Sequence, residues 1–302
     1  MRVLSLFDGI SCGRVAFDRA GITVDQYDAY EIDDNAIAVS AANYPQITHK
    51  GDVFKANYHL GEYDILIGGS PCTYWSVARA GRGDRETTSR GLGWELFNQY
   101  VRALKETNAA YFLYENNKSM SDAIRDEITK ALGVGPVMID SADFSAQSRR
   151  RYYWTNIPIQ KCTKKCDLVI RDILYDHDYE TRDFSEYADT VRTSPSGNSV
   201  KWDPSRKGYY SQQYRARGVD DKMNTVPAAG ADKCNIWLGG TQYRRLHPVE
   251  AERLQTLPDN YTATLASDRA RIKAVGNGWT VDVIAWILSH IPKPEEGEEW
   301  ML

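Results

Sequence analysis

A chain of 302 residues that is 42% hydrophobic, 26% charged and 11% aromatic has material for a sizeable core, which excludes a disordered or fibrous protein and leaves room for a large domain with a smaller companion. Its net charge of −4 argues against a surface that coats nucleic acid without discrimination. No apolar run nears the roughly 20 residues that span a bilayer, and MRVLSLFDG lacks a secretory signal. The five scattered cysteines (Cys12, Cys72, Cys162, Cys166, Cys234) argue against a disulfide framework and for a reducing, cytoplasmic setting.

VLSLF (3–7) predicts a first strand, followed by a glycine-bearing loop and a helix near Arg14–Ala20. YDAYE (27–31), DILIGG (64–69) and AYFLYE (110–115) predict further strands, the rhythm of a doubly wound α/β sheet over residues 1–160. Trp94, Phe97, Val101 and Leu104, with Tyr100, fall at helical spacing and are expected to face that sheet. YYWTNI (152–157) reads as another strand. From about 160 to 270 the periodicity fades and turn-formers take over in TSPSGNS (193–199), KWDPSRKGYY (201–210) and PAAGADK (227–233), predicting a second, loop-rich lobe. WTVDVIAWILSHI (279–291) recovers a helical pattern so apolar that it must be buried, most economically against the N-terminal sheet. Basic residues gather in 148–151, 161–165, 201–222 and 243–247, a pattern compatible with a local basic groove on an acidic body.

Phe7-Asp8-Gly9-Ile10-Ser11-Cys12-Gly13 lies between the first strand and first helix, where backbone N–H groups let a ligand approach the carboxyl edge of a sheet. Read alone, it is as readily an ordinary turn, and it is not a GxGxxG fingerprint. Glu31, ending the next strand, is placed to accept hydrogen bonds from two ribose hydroxyls, and Asp52 to take an amino group. The set fits a nucleoside-like cofactor, while the absence of GxxxxGK[ST] disfavours a nucleoside triphosphate. Gly68-Gly69-Ser70-Pro71-Cys72 directly follows a strand, so Cys72 is expected at the sheet edge beside that loop. The Gly-Gly pair, the rigid proline and the Arg-rich segment 73–91 suggest an exposed, nucleophilic thiol on a loop. Tyr114-Glu115-Asn116 ends another strand and brings a carboxylate to the same edge, where a raised pKa would suit a proton donor. In Gln147-Ser148-Arg149-Arg150-Arg151, a strand would put 147, 149 and 151 on one face, pointing an amide and two guanidinium groups into a site together.

Together these residues, spread over nearly the whole chain, resemble the cytosine-5 DNA methyltransferase family. The family's Phe-x-Gly loop is similar to Phe7–Gly13, its Pro-Cys nucleophile to Pro71-Cys72, its Glu-Asn pair to Glu115-Asn116 and its Gln-x-Arg-x-Arg run to Gln147, Arg149 and Arg151. RRLHPVEAERLQTLPDNY (244–261) is similar to the family's Arg-x-Leu-x-x-x-Glu segment, and Gly276-Asn277-Gly278-Trp279 to its late Gly-Asn motif. The resemblance implies an α/β, doubly wound, Rossmann-like S-adenosylmethionine-dependent methyltransferase sheet in 1–160, a smaller loop-rich target-recognition domain in 161–270, and a C-terminal helix in 271–302 that returns to the catalytic domain. It implies that Cys72 adds to C6 of a cytosine flipped out of duplex DNA while Glu115 protonates or hydrogen-bonds N3. Arg149 and Arg151 would then hold O2 and orient Glu115, and C5 would take a methyl group from S-adenosyl-L-methionine. By the same resemblance Phe7, Asp8, Gly9, Ile10, Glu31, Ile32, Asp52, Val53, Pro71, Asn277, Gly278 and Trp279 line the cofactor site, and Ser76, Arg90, Gln147, Arg215 and Arg217 meet DNA. Tyr209, Tyr210, Gln212 and Gln213 join the two late arginines as base or phosphate readers. The expected partner is double-stranded DNA, met by a monomer that touches no membrane and requires no cognate restriction enzyme.

Two positions depart from the family pattern: Asn117 stands where Val usually follows Glu-Asn, and Thr73 where many members have Gln or Asn. The alternatives are a tRNA methyltransferase of the same family, whose Cys-Phe-Thr tripeptide is lacking here, and a catalytically silent DNA-binding homologue, which would have little reason to keep Cys72, Glu115 and both arginines. Cys162-x-x-x-Cys166 has no matched second pair to complete four zinc ligands, so no metal is expected.

Overall fold

The computed structural model of the protein describes residues 1–76, 85–183, 191–193, 199–202, 215–226 and 234–292, with Leu60, 191–193, 199–202 and Arg215 described through the backbone. Along the chain run β1 (Arg2–Leu6), α1 (Cys12–Arg19), β2 (Gln26–Tyr30), α2 (Asp34–Asn43), β3 (Thr48–His49), β4 (Ile65–Gly68), α3 (Leu92–Thr107), β5 (Tyr111–Asn117), α4 (Asp122–Leu132), β6 (Val137–Asp140) and β7 (Arg150–Thr155). They build a seven-stranded sheet in the order β3-β2-β1-β4-β5-β7-β6. β1 pairs in parallel with both β2 and β4, β4 pairs in parallel with β5, and β7 returns antiparallel to β5. β1 and β4 are near-continuous apolar runs, buried at all but Arg2, as strands covered on both faces must be. The winding reverses between β1 and β4. Doubly wound sheets bind ligands at the carboxyl ends of the strands flanking such a reversal.

The expected strands all form, with shifted ends. β1 stops at Leu6, because Phe7 leaves the strand with a φ of 57°. The helix read from Trp94, Phe97, Val101 and Leu104 is α3, but its buried stripe is Phe97, Tyr100 and Ala103, while Trp94, Val101 and Leu104 are only partly buried. Tyr100 sets that face: its hydroxyl donates to the carbonyl of Leu66, and its ring lies 4.8 Å from that of Tyr114.

The residues expected to be loop-rich contain a second, six-stranded sheet. Its members are β8 (Arg182–Asp183), β9 (Val191–Thr193), β10 (Ser199–Trp202), β11 (Arg215–Arg217), β12 (Asn235–Gly239) and β13 (Gln242–Arg245), in the order β8-β13-β12-β11-β10-β9. Strands of two to five residues are too short to write a period-2 signature against so many turn-formers. Two helices follow, α5 (Pro248–Leu254) and α6 (Asp268–Asn277). Pro248 opens α5 at a position where its missing N–H costs nothing, and Glu250 accepts from the amide of His247. Glu250 also takes a two-pronged pair of bonds from Arg244, at 2.6 and 2.8 Å, with both side chains almost fully buried. The Arg-x-Leu-x-x-x-Glu pattern is therefore architectural here: it fastens the last strand of the sheet to the helix behind it.

The last described helix, α7 (Val281–Leu288), is apolar at every position but Asp282 and packs on α1, where Arg19 bonds Asp282 across the pair at 2.6 Å. The chain divides into two compact units: Met1–Ile139 with Arg150–Cys162 and Val281–Leu302, and Asp140–Arg149 with Thr163–Thr280. No described helix is long and apolar enough to cross a membrane.

Candidate active site

The loop after β1 is built on left-handed backbone. Phe7, Gly9 and Ser11 have φ of 57°, 60° and 58°, and two of the three are residues that seldom adopt it. Asp8 holds this shape, its carboxylate accepting from the hydroxyls of Ser5 (2.6 Å), Tyr27 (2.7 Å) and Ser11, while Ser11 also meets Ser40 at 2.6 Å. Burial raises the Asp8 pKa above the ordinary carboxylate value, and the three hydroxyl bonds partly offset that rise. Asp8, expected among the cofactor contacts, thus turns its side chain into the fold.

Glu31 joins this loop to the end of β2. One of its oxygens accepts from the amide of Gly9 at 2.8 Å, the other from the amides of Ile32 and Asp33 at 2.7 and 2.9 Å. The side chain of Ile32 is 72% exposed, an apolar surface beside a carboxylate. β3 ends next to β2, and beyond it Asp52 accepts from the amide of Phe54, whose ring is 45% exposed. Val53 and Ile10 are buried, so neither offers an exposed side chain to a ligand. Two carboxylates, exposed Ile32 and Phe54 and a close-approach glycine loop, all at the carboxyl edge of the sheet, suit a ligand with ribose hydroxyls and a flat purine. Phe54 went unread in the sequence: an aromatic in a short 3-10 turn (Val53–Lys55) carries no periodic signal.

The turn after β4 is held from beneath. Tyr114 is wholly buried among Phe97, Tyr100 and Trp154, and burial pushes its phenol far above its usual range, so it remains neutral. Its hydroxyl meets Ser70 Oγ at 2.7 Å, and Asn116 donates to the carbonyl of Ser70 at 3.0 Å. Asn117 donates to the carbonyl of Cys72 at 3.3 Å. Pro71 is exposed and Cys72 half-buried at the start of a short 3-10 turn (Cys72–Tyr74). Ser76 donates its amide to the Cys72 carbonyl at 3.0 Å, and Arg90 is exposed.

On β5, Glu115 sits opposite Tyr153 of β7, and Asn117 opposite Arg151. Arg151 is thus the diagonal neighbour of Glu115 on the same face, within reach of a long side chain. Its Nε lies 2.9 Å from Glu115 Oε1, with both side chains only 11–13% exposed.

Gln147 and Arg149 do not share that face. β7 begins at Arg150, so strand alternation does not reach back to them, and both belong to the second unit. Gln147, expected at DNA, is wholly buried: its Nε2 donates to the carbonyl of Leu254 and its Oε1 accepts from the amide of Val226. Arg149, expected at the base, donates to the carbonyls of Val226, Gly276 and Gly278, the last at 2.9 Å. It braces the Gly276–Trp279 turn, in which Asn277 is exposed, Gly278 buried and Trp279 half-buried. Arg217 lies on β11 with Nη2 bonded to Asn224 Oδ1 at 3.0 Å, and Arg215 begins the same strand. Tyr209, Tyr210, Gln212 and Gln213 lie outside the described residues.

A family model described as C-5 cytosine-specific DNA methylase matches residues 1–293. The chain belongs to the C-5 cytosine-specific DNA methylase family. As a member it is a DNA (cytosine-5-)-methyltransferase that draws its methyl group from S-adenosylmethionine. It is 26% identical to the Type II methyltransferase M.NgoPII of Neisseria gonorrhoeae, across 98% of this chain and 96% of that one. Against the orphan methyltransferase M.Rho11sI of Bacillus phage rho11s it is 39% identical, over 40% of this chain and 24% of that protein. The fold is shared with the S. pombe Dnmt2 methyltransferase (TM-score 0.64, 17% identity, 96% of this chain and 97% of that one). It is shared equally with a putative DNA modification methyltransferase encoded within an E. coli prophage (TM-score 0.64, 19% identity, 96% and 98%).

Proposed function

We propose that Cys72 is the nucleophile of this methyltransferase, Glu115 its proton donor and Arg151 the residue that orients Glu115. The observation that carries this reading is the pairing of Glu115 with Arg151 on the strand whose last residues, Asn116 and Asn117, grip the Cys72 turn. The thiolate of Cys72 forms a bond to C6 of a cytosine. The electron pair of the C5–C6 double bond is drawn toward N3, where Glu115 donates a proton or hydrogen bond, and C5 becomes enamine-like. S-adenosylmethionine, when bound, supplies the methyl group that C5 takes up. A water-derived base takes the C5 proton, N3 gives its proton back to Glu115, and the C5–H electron pair re-forms the C5–C6 double bond as Cys72 leaves as thiolate. C6 is inaccessible inside a base stack, so the nucleotide is flipped out at a cost of about a few kcal/mol.

The cofactor's place is assigned to the edge formed by Phe7, Gly9, Glu31, Ile32 and Asp52. A carboxylate offers about four acceptor positions, of which Glu31 already gives three to backbone amides. The remaining one suits a ribose hydroxyl, and the apolar surface of Ile32 suits an adenine face. Arg215 and Arg217 on β11 of the second unit are assigned to the duplex, which the enzyme reads as a monomer with no restriction enzyme required.

The test is nucleoside mass spectrometry after incubation of the protein and S-adenosylmethionine with mixed-sequence duplex DNA or with tRNA. The expected result is 5-methylcytosine in DNA alone, lost in Cys72→Ala. Product in tRNA alone overturns the DNA assignment, and product from Cys72→Ala overturns the nucleophile.

A further inference from the structure

Asn117 differs from its neighbours on β5 in what it holds. Glu115 is paired with Arg151, and Asn116 is bonded to Ser70 and Tyr114, whereas the Asn117 side chain reaches the nucleophilic residue itself. Its Nδ2 donates to the carbonyl of Cys72 at 3.3 Å, and its Oδ1 accepts from the hydroxyl of Ser119 at 2.7 Å. The Cys72 carbonyl and Asn116 Oδ1, which also takes a bond from Nδ2 at 3.3 Å, can only accept, so they turn the NH₂ group toward themselves and leave Oδ1 to the hydroxyl of Ser119. That carbonyl also accepts from the amides of Trp75 (3.1 Å) and Ser76 (3.0 Å). Three donors from two segments therefore converge on one oxygen. Asn117 is 5% exposed, and its own amide donates to Asn116 Oδ1 at 2.8 Å, so the tether is anchored in the sheet rather than in the loop it restrains.

We propose that Asn117 is a positioning residue for Cys72, acting through the backbone of the nucleophile turn. Fixing the Cys72 carbonyl limits rotation of the peptide that carries Cα, and with it the arc open to Sγ. Ser119 acts at one remove, by anchoring the Asn117 amide through its Oδ1. The proposal rests on Cys72 being the nucleophile, and the experiment keeps the two claims apart.

The variants are Asn117→Leu, similar in size but without a donor, Ser119→Ala, and the two combined, each checked by thermal melting. In single-turnover methylation of duplex DNA, Asn117→Leu is expected to lower the rate at saturating DNA about tenfold, the rate equivalent of one hydrogen bond, with little change in the DNA concentration at half-saturation. Ser119→Ala is expected to fall less, and to cost nothing further once Asn117 is Leu, because the two share one effect. Independently of catalysis, the rate at which iodoacetamide alkylates Cys72, followed on its peptide, is expected to rise about threefold or more in Asn117→Leu as the turn loosens, while Cys12 and Cys234 keep their rates. An unchanged alkylation rate, a loss that falls wholly on half-saturation, or an additive double variant overturns the proposal. Wild-type protein that methylates no cytosine defeats the nucleophile reading instead, and alkylation still decides whether Asn117 restrains Cys72. If Asn117→Leu does not fold, Ser119→Ala carries the alkylation test alone.

Discussion

Glu115 and Arg151 form a pair that is only 11–13% exposed, so each depends on the other for the solvation it has lost. Glu115→Gln keeps the shape and removes the titrating proton. It is expected to lower kcat about 10²- to 10⁴-fold with DNA binding retained, measured by steady-state methylation beside a filter-binding assay. Asp8 carries a different consequence. Its pKa in the folded chain is raised by burial above the value of 3.8 that applies unfolded, so the folded state binds the proton more tightly. The stability it contributes is complete below the unfolded pKa and is lost as the pH rises through the folded one. Unfolding in urea is accordingly expected to show wild type gaining stability relative to Asp8→Asn as the pH falls from neutral toward 4. Cys72, Glu115 and Glu31 stand out in the sequence because each follows or lies near the end of a recognisable strand. The places of Gln147 and Arg149 could not be read: the steps of two from Gln147 to Arg149 to Arg151 suggest one face, and nothing in the run of arginines marks that the strand starts at Arg150.

At the scale of elements, β4 and the turn after it depend on a residue without a side chain. A Cβ on Gly68 would stand 2.7 Å from the carbonyl oxygen of Leu6 on β1 and 3.1 Å from the Tyr100 ring, and the backbone contact has no rotamer by which to escape. Gly68→Ala is expected to destabilise the chain by about 1–3 kcal/mol through strain on the β1–β4 pairing, seen as a lower Tm. In the second unit, Lys222 Nζ donates to the carbonyls of Ala142, Ser145, Cys166 and Leu168, at 2.7–3.1 Å. This one ammonium fastens the 140–149 segment to two later stretches of chain. Lys222→Met leaves those carbonyls short of a donor, and a loss of about 1–3 kcal/mol in denaturant unfolding is the expected result. Parallel strands of four to seven residues and the amphipathic α3 left clear patterns, whereas the short strands β8 to β13 and the shifted stripe of α3 did not. The stripe is set by what it meets, and Tyr100 was chosen by Leu66 and Tyr114 of other strands.

For the whole molecule, the family motifs fall on two compact units whose boundaries cross the linear order of the chain. Residues 140–149 and 271–280 join the second unit, though sequence continuity suggested the first for one and a returning C-terminal segment for the other. No change of composition marks the first break, since the hairpin-like excursion from β6 to β7 is bonded through Gln147 and Arg149 to partners more than 70 residues away. The fold class is legible despite this, because β1, β2, β4 and β5 all belong to one sheet, and the residues proposed for catalysis and cofactor binding lie near the ends of those strands. The central claim is that Cys72 of this chain attacks cytosine in DNA. Its most direct test is incubation with S-adenosylmethionine and a mixed-sequence duplex in which 5-fluorodeoxycytidine replaces deoxycytidine, whose C5 fluorine cannot leave as a proton does and so arrests the adduct. A denaturant-stable protein–DNA species, with the nucleotide mapped by mass spectrometry to the peptide bearing Cys72 and absent from Cys72→Ala, is the predicted result. An adduct on another residue, or methylation of ordinary duplex DNA with no trapped species, would contradict it.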